Sequence, residues 1–75
     1  MNKDRRKSIE RIVDKINEIK ADLTWVRNDE EEAYDNLPEG IQSSERGDSM
    51  QEAIEAMDDA DGSLQEAVDF LEEII

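Results

Sequence analysis

The sequence predicts an all-α fold, an antiparallel helical hairpin of two long helices. Three observations carry this. Apolar residues recur at alternating intervals of three and four, the signature of a helical stripe and not of a strand. The single proline, Pro38, falls close to the middle of the 75 residues. Beyond it the same spacing begins again.

The first stripe runs Ile9, Ile12, Ile16, Ile19, Leu23, Val26, Ala33 and Leu37, with Glu30 the one polar interruption. It follows a seven-residue repeat. Proline disfavours helical backbone at the residue before it, so the first helix is expected over about residues 3–37. A turn over about 38–43 includes Gly40, and the second helix covers about 44–75. Its stripe is Met50, Ile54, Met57, Leu64, Val68, Leu71 and Ile75, with Asp61 as the polar intruder. Ser44 and Asp48 are both suited to cap it, and Asp48 followed by Gln51 three residues later has the form of a capping box. Residues 1–75 form one domain.

A single hairpin has one seam to bury, and a chain this short is marginal without help. Cysteine and histidine are absent, so neither a disulfide framework nor a zinc site supplies it. The help is expected from a second copy. Ala53, Ala60, Ala67 and Ile74 form a further row beside the second stripe, Val13 and Tyr34 widen the first, and Phe70 lies off the seam. Faces this wide suit a four-helix bundle, most simply two hairpins about a two-fold axis. The expected homodimer interface is Val13, Ala53, Ala60, Ala67, Phe70 and Ile74.

Charge is unevenly placed. Overall there are 9 basic and 22 acidic residues, a net −13. Residues 1–20 hold seven bases and four acids, leaving two bases against eighteen acids for the remainder. In an antiparallel hairpin the basic start lies beside Asp69, Glu72 and Glu73, an expected charge match. The opposite end has none. Between Asn28 and Glu52 stand nine acids against Arg46 alone, several of them in the last turns of the first helix, where the helix dipole disfavours negative charge.

Catalysis is not expected. Without histidine or cysteine, a nucleophile–base pair would have to be built from serine, lysine or carboxylates, and carboxylate pairs need an enclosing pocket to separate their roles. The segment "MDDADGSLQEAV" looks like a calcium loop, but aligning Gly62 with the loop glycine puts Met57 at the first ligand and Val68 at the bidentate glutamate position. Neither side chain ligates calcium. The glutamate–x–x–histidine pattern of a di-metal bundle is also missing. No metal or cofactor is therefore expected. Asp61 at a seam position needs a partner, and Lys20 or Arg27 is in reach.

Three further expectations concern partners. Acid density along a rod of helices approaches that of nucleic acid, so the surface suits a basic channel on another protein. The candidate protein-binding residues are Trp25, Asp29, Glu30, Glu31, Glu32, Tyr34 and Asp35, with tryptophan the residue type most enriched at binding hot spots. Direct nucleic-acid binding is disfavoured by the net charge, and no apolar run reaches membrane-span length, so a cytoplasmic location is expected. The alternative to such an acidic inhibitor is a structural or assembly scaffold, and a third possibility is an antitoxin-type partner covering a basic toxin. Finally, "MNKDRRKSIERI", "AYDNLPEGIQSSERGDSMQEAI" and "AIEAMDDADGSLQEAVDFLEEI" resemble the short acidic helical proteins of phages, prophages and mobile elements of Gram-positive bacteria. That resemblance implies an accessory-gene context in which small inhibitors of host machinery are common. It carries no functional residue with it.

Overall fold

A computed structural model describes residues 1–75 as an all-helical chain: α1 (Lys3–Asp35), α2 (Glu39–Gln42) and α3 (Glu45–Glu72). The two long helices fold back on each other as a hairpin. The result is a rod of 58 × 15 × 11 Å, with a radius of gyration of 17.2 Å where a compact domain of this length has about 11 Å. No helix is long and apolar enough to cross a membrane.

Each helix end has a local cause. Asn2 is extended and its side chain accepts a hydrogen bond from the Arg5 amide at 2.8 Å, capping α1. Asp4 adds a favourable charge in the first turn. At the other end α1 stops at Asp35, two residues earlier than the periodicity predicts, because Pro38 withdraws helical backbone from Leu37. The amides of Asn36 and Leu37 still turn back, onto the carbonyls of Glu32 and Tyr34 respectively. The predicted turn contains a short helix, α2, whose first bonds run from the amides of Ile41 and Gln42 to the Pro38 carbonyl. Gln42 then donates its side-chain amide to the Tyr34 carbonyl at 3.1 Å, a second donor beside the Leu37 amide that ties α2 to the end of α1. Ser44 takes the capping position of α3 without capping through its side chain. Its hydroxyl instead donates to the Ile41 carbonyl. Asp48 lies inside the first turn of α3 rather than before it.

Packing corrects the expected register of α1. One row of the predicted stripe faces inward: Ile9, Ile16, Leu23 and Leu37 are half-buried. The other does not. Ile12 is 47% exposed and Ile19 and Val26 are each 54% exposed. Their inward places go to Val13, Lys20, Arg27 and Tyr34, a row one residue further along the helix. Three side-chain bridges fix the alignment with α3. Lys20 donates to Gln65, Arg27 to Asp58 at 2.9 Å, and the Gln51 amide to the Tyr34 hydroxyl at 2.9 Å. Each seven-residue step down α1 meets a seven-residue step back along α3. Long polar side chains hold these inward sites because their stems cover apolar surface while their heads reach α3 at the rim.

The core is correspondingly small. Val13, 6% exposed, and Val68, 2% exposed, are the buried apolar residues. Val13, expected at the dimer interface, is consumed inside the hairpin and has no surface left to offer. The basic start does lie beside the acidic end of α3, but no ion pair forms between them. Both ion pairs within 4 Å belong to Arg27, one with Glu31 in its own helix and one with Asp58. Exposed pairs of this kind hold long side chains in place for too little gain to be populated at every opportunity. Asp61 is reached by neither Lys20 nor Arg27, since Gln65 and Asp58 capture them first.

The polar inward row has a measurable consequence. Replacing Lys20 by leucine should stabilise the hairpin by about 1 kcal/mol through added apolar burial. Gln65 keeps its 2.9 Å Nε2 bond to Asp69, and its Oε1, released by Lys20 at the rim of the seam, turns to water. A urea midpoint that falls on this substitution would mean the lysine–glutamine bridge outweighs the burial.

Candidate functional site

The seven predicted binding residues do not form one face; α1 distributes them over two. Trp25 projects opposite the seam and is 73% exposed, the most open large apolar side chain of the molecule. Asp29 is one turn further along and Glu32 two turns, so with Asn28 the three line a shallow groove on the outside of α1. Tyr34 lies on the other side, half-buried at the acidic end of the seam. There Glu31, Tyr34 and Asp35 face Gln51, Ile54 and Glu55 of α3 across a second shallow groove, open to solvent. Glu30 sits half-buried in the inward row and lines neither.

The electrostatics of the two grooves differ. In the second, Glu31 is already engaged by Arg27, and Asp58 closes the pair from α3. The Asp58 hydrogen bond is the main cause that pushes the Arg27 guanidinium above its ordinary value; burial opposes it, and the charges of Asp58 and Glu31 add to it. Arg27 is thus a fixed positive strut in an otherwise acidic region. Sequence reasoning did not single it out for this role. Its signal is there, in a seven-residue row with Val13, Lys20 and Tyr34 and in the spacing of four to Glu31. Around Trp25 nothing neutralises the acids: Asp29 and Glu32 form no ion pair.

Charge is also partitioned along the rod. The alignment of the helices sets residues 1–20 beside 64–75 in one half and residues 21–63 in the other. The first half holds seven bases and eight acids, the second two bases and fourteen acids. One half is near neutral and the other carries −12. The predicted interface residues follow a different line. Ala53, Ala67 and Ile74 lie with Ala60 on one flank of α3, and Phe70, 61% exposed, borders them near the near-neutral end.

No three acidic side chains converge as a metal cluster would require. Neither groove encloses a small molecule, so what the arrangement offers is a surface. It defines an acidic helical hairpin with two exposed aromatic side chains, Trp25 on α1 and Phe70 on α3. No family model, curated protein or solved structure matches the chain.

Proposed function

We propose that the protein is a non-enzymatic recognition module, a homodimeric four-helix bundle whose acidic half occupies a basic, nucleic-acid-binding surface of a partner protein. The observation that carries this is the concentration of charge. Twelve net negative charges lie on about half of a 58 Å rod, one per roughly 2.4 Å, against one per 1.7 Å for duplex DNA. A second copy takes the density past that of the duplex, to one per roughly 1.2 Å. Trp25 supplies what charge alone lacks, a flat aromatic anchor that stacks on arginine guanidinium groups while Asp29 and Glu32 pair with their charge. The resemblance to acidic proteins of mobile elements supports an inhibitor of host DNA-handling machinery as the biological role.

Affinity capture from a Gram-positive host lysate at low salt tests this. The retained protein should leave the column when duplex DNA is added, and should weaken about a hundredfold or more between 50 and 200 mM salt. Asp29→Lys with Glu32→Lys should abolish retention with the helical signal intact, because neither carboxylate holds the fold. A captured protein indifferent to DNA, salt and these substitutions would instead favour an assembly scaffold.

A further inference from the structure

The hairpin leaves half of its own apolar pattern unused. All the bridges that align the helices lie on one side of the seam, where Lys20, Arg27 and Tyr34 meet Gln65, Asp58 and Gln51. The opposite flank carries no polar bridge. The same alignment sets Ile12 level with Ile74, Ile19 with Ala67 and Val26 with Ala60, and all but the half-buried Ala67 are exposed. A continuous apolar strip, large side chains on α1 and small ones on α3, thus runs along one side of the rod.

We propose that this strip seats a second copy of the chain, with the two-fold axis along the rod, so that α1 of each copy lies against α3 of the other. The inference rests on the dimeric reading above and adds to it a face and an orientation. Exposed area identifies the occupant. The hairpin exposes 5626 Å², whereas a compact protein of 8.6 kDa exposes about 4,700 Å². The excess, about 900 Å², matches the roughly 800 Å² that each partner contributes to a standard interface.

Shape and charge set the orientation. Laying the isoleucine–valine row of one copy on the alanine row of the other interdigitates large with small, and alanines permit close approach. The competing arrangement, α1 on α1 and α3 on α3, would stack two helices that each carry ten acids against Arg46 alone. It would also set bulky row against bulky row. In the proposed bundle Ile9, Ile16 and Leu23 join Ile12, Ile19 and Val26 as one stripe directed at the common axis, which accounts for the width of the heptad pattern.

Light scattering on the full chain should give a mass near twice 8.6 kDa at tens of micromolar. Ile19→Glu with Val26→Glu should weaken association about a hundredfold or more by desolvating unpaired carboxylates. Asn17→Glu with Thr24→Glu, on the bridged side, should leave it unchanged. A second measurement needs no disruptive change: the chain has no cysteine, so Lys3→Cys takes a single spin label. The proposed axis holds both labels at one end, about 20–30 Å apart, while the competing arrangement separates them by roughly 50 Å. A monomer at 100 μM would overturn the dimer itself and this face together. A dimer indifferent to the glutamates on the strip would overturn the face alone, and a long label separation the orientation.

Discussion

Alanine at Gly47 is expected to destabilise the protein by about 3 kcal/mol, with loss of the α2–α3 junction. A Cβ there would lie 2.0 Å from the Gln42 carbonyl oxygen, 2.6 Å from its carbon and 2.9 Å from its Cα. These are backbone atoms, so no side chain can swing aside. Relief requires moving α2 off the start of α3, and with it the Gln42 amide that partners the Tyr34 carbonyl at the end of α1. Overpacking typically costs about 1–3 kcal/mol and the loss of a partly buried bond adds to it, against a total stability on the order of 4–11 kcal/mol for 75 residues. Gly62 is the control. It lies inside α3 with open space around its Cα, and Gly62→Ala should stabilise by about 0.5–1 kcal/mol through helix propensity alone. Urea denaturation followed by circular dichroism should show the two alanines moving the midpoint in opposite directions. A neutral Gly47→Ala would contradict the close approach.

Val68 is the second sensitive point. It is the most deeply buried side chain, in a core whose other buried apolar residue is Val13. Val68→Ala should lose about 2 kcal/mol, from the removed methyl groups and the space they leave. Val68→Asp should lose 3 kcal/mol or more, because an unpaired carboxylate would enter the driest point of the seam. Helical ellipticity at room temperature should then fall with the fraction folded. Equal and small effects of both substitutions would mean that the seam opens to water at this level.

The architecture was readable in the sequence because two signals agree at low resolution: a seven-residue apolar repeat, and a proline that interrupts it. Which row of the first repeat turns inward was not. Hydrophobicity favours Ile12, Ile19 and Val26 over Lys20 and Arg27, and only the partner helix decides, through Gln65 and Asp58. A rule that ranks residues by polarity misses side chains whose stems are apolar and whose heads reach a bond. The short helix after Pro38 was hidden by its length, four residues with no room for periodicity. Gly47 was hidden too, since nothing local marks a glycine whose neighbour five residues back will touch it. For the candidate site, the acid positions and Trp25 were readable directly. Their division between two grooves follows from α1 continuing unbroken through Asp35, which puts Trp25 and Tyr34 on different sides of the same cylinder.

The near-neutral tip and the −12 half make the rod an electrical arrow. In the proposed dimer, a two-fold axis along the rod would point both copies the same way, so that their dipoles would reinforce each other where an antiparallel pair would cancel them. Such a particle would turn as it drifts towards a positive surface and would dock junction first, with the amino termini trailing in solvent.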